Sequence, residues 1–162
     1  MSNKKILLLL GGPSKERKVS LSTGAAVYLA LKKLGYVVER VDPKIQSKDF
    51  LQYNCDIAFN ALHGQFGEDG KVQSLLERQQ IPYTHSGVKS SALAMDKLKS
   101  KKKFIKAKIK TPKFKVIEKL SDLNNTISKK KFVIKPINEG SSVGVVICKT
   151  LSSLNRVKIK MY

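Results

Sequence analysis

The chain has 162 residues, 41% of them hydrophobic, and a formal net charge of +20; that length suits one ordinary domain or two small ones with a real core. Its longest purely apolar run, residues 6–10, is far short of the roughly 20 residues that cross a bilayer. Charged residues 15–18 follow that run too closely for a cleavable leader, so neither a membrane partner nor an export signal is expected, and the cytoplasm is the expected compartment. Lysine supplies almost all of the charge, since only Arg17, Arg40, Arg78 and Arg156 are arginines. Base-edge and phosphate-fork contacts favour arginine, and the lysines are scattered without interleaved aromatics, so no specific nucleic acid is expected as a partner. Cys55 and Cys148 have no second Cys or His at metal-ligand spacing and read as reduced, packed thiols.

Residues 5–10, continuously apolar after Lys5, are closed by Gly11-Gly12-Pro13, which predicts a buried parallel strand and a loop. A helix is predicted over 21–34, capped by Ser20 or Ser22 and stopped by Gly35. Residues 36–41 read as the next strand, ended by Asp42-Pro43. A third strand over 56–62 runs into His63-Gly64-Gln65-Phe66-Gly67-Glu68-Asp69-Gly70. A helix over 71–79, burying Val72, Leu75 and Leu76, and a short fourth strand over 81–84 follow. Strands alternating with helices predict a parallel α/β sheet.

The texture changes after Gly87. Residues 90–107 read as one helix, basic in its second half and broken by Thr111-Pro112. Residues 115–117, 132–137 and 143–148 read as strands, and another helix is predicted to begin at Leu151. The expected organisation is an amino-terminal α/β domain over 1–94 and a partial second domain over 95–162.

Four segments carry chemistry. Gly11 to Ser20 directly follows a strand, at the edge where α/β sheets bind ligands; Glu16 places there a carboxylate able to hold an ammonium. His63 follows the third strand onto the same edge and could donate to a carboxylate or a developing oxyanion. Lys97 stands just past the domain junction, where a lysine could neutralise phosphate. Lys135 is delivered by a strand into a loop with Ser141, Ser142, Gly140 and Gly144, whose N–H and hydroxyl groups could wrap phosphate oxygens.

In order and spacing these segments resemble the D-alanine–D-alanine ligases, an ATP-grasp family. The likeness rests on Leu9-Leu10-Gly11-Gly12 with Ser14, Glu16-Arg17 and Val19-Ser20, and on Ala61-Leu62-His63-Gly64 with Gly67-Glu68-Asp69-Gly70. It continues through Pro82-Tyr83-Thr84, Ser86-Gly87-Val88 and Met95-Asp96-Lys97, and ends on Lys135-Pro136 with Glu139-Gly140-Ser141-Ser142-Val143-Gly144. The resemblance implies a Rossmann-like amino-terminal domain followed by the first lobe of an incomplete ATP-grasp domain. It implies ATP-dependent joining of two D-alanines through an acyl phosphate for peptidoglycan synthesis, with D-alanine and ATP as substrates, Mg²⁺ as cofactor and a homodimer as the assembly.

Residue by residue, the resemblance makes Glu16 the holder of the first D-alanine ammonium and puts His63 near its carboxylate. Lys97 and Lys135 become the two lysines on the ATP phosphates, joined by Ser142. Ser141 becomes the serine that bonds the Glu16 counterpart and closes the site; Glu68 and Gly144 are secondary members. The family's metal ligands lie in its carboxyl-terminal half, whereas after Ser100 this chain offers only Glu118, Asp122 and Glu139 as acids, none in the ligand pattern. No metal ligand is therefore assigned. The chain is expected to be an amino-terminal fragment, inactive alone and least stable in its second part. A D-alanine–D-lactate or D-alanine–D-serine ligase is the nearest alternative. A non-catalytic remnant or basic polyanion binder is the other.

Overall fold

A computed structural model describes residues 4–46, 52–118, 122 and 131–149. The chain divides into two compact units, Met1–Met95 and Asp96–Tyr162.

The first unit is a parallel sheet with β1 (Lys5–Leu9) between β2 (Val37–Val41) and β3 (Ile57–Asn60). A strand with parallel neighbours on both sides must be apolar on both faces. Accordingly Leu7, Leu8 and Leu9 are fully buried, and Leu7 and Leu9 join Val41, Ala58, Leu62, Val72 and Leu76 in one core cluster. Burying a leucine side chain stabilises by about 1.5–3 kcal/mol, so these positions dominate the cohesion of the unit.

Helix α1 (Arg17–Lys33) links β1 to β2, and α2 (Lys71–Arg78) follows β3. The end of α1 is set by Gly35, at φ +84°. The Tyr36 N–H donates to Leu31 O at 3.1 Å and the Gly35 N–H to Lys32 O at 3.0 Å, the paired bonds of a Schellman stop. Its start differs from the sequence expectation. α1 begins at Arg17 with Glu16 as the N-cap position and no side-chain cap, so neither Ser20 nor Ser22 caps it. Ser20 lies inside the first turn and is fully buried. Gly24 lets α1 settle on the end of β1, because a Cβ there would meet Leu10 Cβ at 2.5 Å.

The expected fourth strand reduces to one parallel bridge, Ala58 with Tyr83. Ala58 N donates to Pro82 O and Thr84 N to Ala58 O. Pro82 itself has no N–H to give, which keeps this pairing short. The single helix expected over 90–107 is two, α3 (Val88–Met95) and α4 (Lys97–Lys106). They part at Asp96, whose extended backbone and side chain, accepting from the Lys99 N–H, cap a new helix start.

In the second unit, β4 (Phe132–Ile134) and β5 (Val146–Cys148) pair antiparallel, both shorter than the apolar runs suggested. No strand forms over 115–117. Lys101 orders the chain after α4 by donating to Thr111 Oγ1 at 2.8 Å and Pro112 O at 2.9 Å while lying over the Phe114 ring. The helix expected from Leu151 lies outside the described residues. No helix of the described residues is long and apolar enough to cross a membrane.

Candidate active site

Because β1, β2 and β3 are parallel, the loops after them emerge at one edge. The loop after β1 makes two left-handed turns, Gly11 at φ +78° and Gly12 at φ +76°. The second loop brings Asp42, and the third brings His63 and Gly64.

Hydrogen bonds weld these loops together. Ser20 Oγ accepts the Gly11 N–H at 2.8 Å and donates to Ala61 O at 2.8 Å. Ser14 Oγ donates to His63 O at 2.6 Å and accepts the Glu16 N–H at 3.1 Å. Glu16 is thereby placed beside the third loop. Its carboxylate lies so close that a Cβ on Gly64 would stand 3.1 Å from Glu16 Oε1. A side chain at residue 64 would crowd this buried carboxylate, and φ +72° at Gly64 favours glycine in any case.

The imidazole of His63 is held from both sides. Nε2 stands 3.1 Å from Thr23 Oγ1, and Nδ1 faces Glu68 Oε1 at 3.7 Å. The latter is charge proximity, too long for a hydrogen bond. The other oxygen of Glu68 accepts the Gly64 N–H at 2.8 Å. Asn60 and Gln73 both donate to Gly67 O, at 2.8 and 2.9 Å, which fixes the turn behind His63. Glu16, His63 and Glu68 thus converge on one edge.

Asp42 and Thr23 are members of this edge that sequence reasoning passed over, and Ser20, placed in the first motif, was given no bridging role. Ser20 read as a helix cap and Asp42 only as a strand end. A carboxylate directly after β2 was the available signal, since it had to arrive at the same edge. Burial raises the Asp42 pKa, but hydrogen bonds from Arg17 and the N–H groups of Gly12 and Lys44, with the Arg17 charge, outweigh it and hold the carboxyl below its ordinary value. A carboxyl with a depressed folded pKa stabilises fully above its unfolded pKa, and that contribution is lost as pH falls through the folded value. Urea midpoints of the wild type and Asp42→Asn should therefore differ most near neutrality and converge as pH drops below about 4, the ordinary carboxylate range. A gap that stays constant through that window would contradict the ion pair.

The second unit gathers the remaining predicted residues. The Lys97 N–H donates to Ile137 O at 3.1 Å. Its ammonium donates to Ile137 O at 3.4 Å and also to Glu139 O. Burial lowers the Lys97 pKa, the nearby Lys135 charge lowers it further, and Glu139 partly opposes both. Two cations therefore converge where β4 enters its loop. In that loop Ser141 and Ser142 adopt φ +44° and +60°, and Gly144 φ +70°. The Val143 N–H donates to Gly140 O, and the Val145 N–H to Ser142 O. Left-handed backbone at two serines is costly, and such successive turns can form an anion-binding concavity. Among the described residues no group of three or more His, Cys, Asp or Glu converges as a metal site.

Comparison with known proteins follows the same division. Residues 37–86 match the family described as D-ala D-ala ligase N-terminus, and residues 94–161 match the RimK-like ATP-grasp domain. A D-alanine–D-alanine ligase of Pelagibacter ubique is 54% identical over 96% of this chain and 54% of its own length. One from Sinorhizobium medicae is 50% identical over 92% of this chain and 49% of its own length. The crystal structure of the Bacillus anthracis D-alanine–D-alanine ligase superposes with a TM-score of 0.77 at 36% identity, over 94% of this chain and 52% of that one. The Vibrio cholerae D-alanyl-alanine synthetase A gives 0.80 at 27% identity, over 96% and 55%. The chain thus spans about half the length of the relatives it matches. In sequence and fold it is similar to the amino-terminal half of those D-alanine–D-alanine ligases.

Proposed function

We propose that this chain provides the first-substrate site and one phosphate-binding lobe of an ATP-dependent D-alanine–D-alanine ligase. The observation that carries this reading is the edge of the first unit. A buried carboxylate, Glu16, and an imidazole, His63, bonded through Nε2 to Thr23, stand there beside Gly64, where any side chain would crowd Glu16. A carboxylate suits the ammonium of an amino acid and an imidazole suits its carboxylate.

In this reading Glu16 orients the first D-alanine through its ammonium, and His63 holds the carboxylate that becomes the acyl phosphate. ATP supplies the phosphoryl group for that activation. The amine of the second D-alanine then attacks the acyl carbon, and phosphate leaves. Lys97, Lys135 and Ser142 neutralise and position phosphate oxygens. An ammonium has three donors, so the bonds of Lys97 to two carbonyls leave capacity for one more acceptor. Ser141 is proposed to close the substrate site. Attack on an acyl phosphate needs charge neutralisation and alignment more than a protein nucleophile. Mg²⁺ belongs to this proposal through the ATP-grasp family; the described residues offer no carboxylate cluster that fits it, and no step here is assigned to it. A cytoplasmic homodimer completes the reading.

The test joins this chain in frame to the carboxyl-terminal half of the Pelagibacter ubique relative. The fusion should release phosphate only when both ATP and D-alanine are present, with D-alanyl-D-alanine as product. A folded fusion that forms no dipeptide, or forms it equally from L-alanine, would refute the proposal.

A further inference from the structure

The ion pair between Arg17 and Asp42 encloses the backbone of one residue of the site. Asp42 Oδ1 accepts the Gly12 N–H at 2.9 Å, the Lys44 N–H at 3.0 Å and Arg17 Nη1 at 2.9 Å. Arg17 Nη1 also donates to Gly12 O at 3.1 Å, and Nη2 meets Asp42 Oδ2. The amide N–H and the carbonyl of Gly12 are thus gripped by the two members of one salt bridge. Glycine suits position 11 beneath it: φ is +78°, and a Cβ there would lie 2.5 Å from Asp42 Oδ2 and 2.8 Å from Arg17 Nη1, so that either side chain of the pair would have to shift.

The pair reaches across the sheet edge. Asp42 comes from the end of β2, while Arg17 is the first residue of α1 and is covalently next to Glu16. The Glu16 amide is fixed on its other side by Ser14, which is tied in turn to His63 O. Glu16 is therefore suspended between two anchors, one on the third loop and one on the second. A surface ion pair alone contributes little. This one is partly buried, forked and tied to backbone, the geometry in which arginine and carboxylate fix position rather than merely add charge.

We propose that Asp42, acting through Arg17, is a positioning residue that sets the placement of the Glu16 carboxylate for the ammonium of the first D-alanine. This rests on the functional reading above. Asp42→Asn preserves shape and an acceptor for the Gly12 N–H but removes the charge that orients Arg17. Arg17→Lys keeps the charge but removes the fork.

The experiment titrates D-alanine into the ¹⁵N-labelled 162-residue chain and follows amide shifts. The proteins are the wild type, Asp42→Asn, Arg17→Lys and Ile81→Val, the last being a mild core control at a residue packed on the central cluster. Asp42→Asn and Arg17→Lys should each weaken D-alanine binding about tenfold or more, the scale on which small misplacements act. In the ligand-free protein both should shift the Glu16 amide. Ile81→Val should lower the unfolding midpoint without changing affinity. If Asp42→Asn binds like the wild type, or leaves the Glu16 amide in place, the positioning role is overturned while the substrate reading stands. Full rescue by Arg17→Lys, or losses that merely track stability across all three variants, would overturn it too. A wild type that shows no response to D-alanine overturns the substrate reading itself, and the positioning role with it.

Discussion

Leu7→Ala should be the most damaging single substitution in the first unit, lowering its unfolding free energy by about 2–5 kcal/mol. Leu7 sits at the middle of the central strand, fully buried, paired in register with Glu39 on one side and Ala58 on the other. The sheet backbone around it is held by neighbours on both sides, so the cavity left by truncation cannot readily collapse. Domains of this size are stable by about 5–15 kcal/mol in total, which makes the loss a large fraction of the whole. Urea unfolding followed by far-UV circular dichroism measures it. Leu29→Ala is the internal comparison, because Leu29 is 68% exposed on α1 and should change stability by no more than about 0.5 kcal/mol. Similar losses at both positions would mean that the core has been misplaced.

Glu16→Gln should be the variant with the largest effect on ligand binding. The substitution keeps size and one acceptor oxygen but removes the charge proposed to hold the ammonium. Hydrogen bonds to charged groups contribute about 1.5–3 kcal/mol, so D-alanine affinity should fall by roughly ten- to a hundredfold. Calorimetric titration of D-alanine into the two proteins reads it directly. Glu39→Gln, at an exposed residue of β2, should leave affinity unchanged. If Glu16→Gln binds D-alanine as tightly as the wild type, the ammonium is held elsewhere.

Much of this architecture was legible because it is written in local signals. The strand patterns at 5–10, 36–41 and 56–62 pointed to the three parallel strands, and Gly35 to the stop of α1. The glycine-rich loops directly after two of those strands placed Glu16 and His63 on one edge, since parallel strands must end together.

What was missed depends on partners distant in sequence or on competition between two local devices. Ser20 has the chemistry of a cap, yet a Ser14-centred turn starts α1 earlier and turns Ser20 inward to bridge Gly11 and Ala61. Asp96 splits a continuous helical pattern because its side chain competes for the Lys99 N–H. The stretch 115–117 alternates like a strand, but alternation does not supply a neighbour to pair with. The Arg17–Asp42 pair joins residues 25 positions apart, and nothing in either residue's neighbourhood announces the other. Similarly, the meeting of Lys97 with the carbonyls of Ile137 and Glu139 spans about 40 positions.

The central claim is that the carboxyl edge of the first unit is a stereoselective site for D-alanine. The most direct measurement compares D-alanine and L-alanine titrations of the ¹⁵N-labelled chain. Saturable shifts are expected with D-alanine at Gly12, Glu16 and Gly64, and little change with L-alanine at the same concentrations. Equal responses to the two enantiomers, or shifts confined to the lysine-rich helix α4, would contradict it.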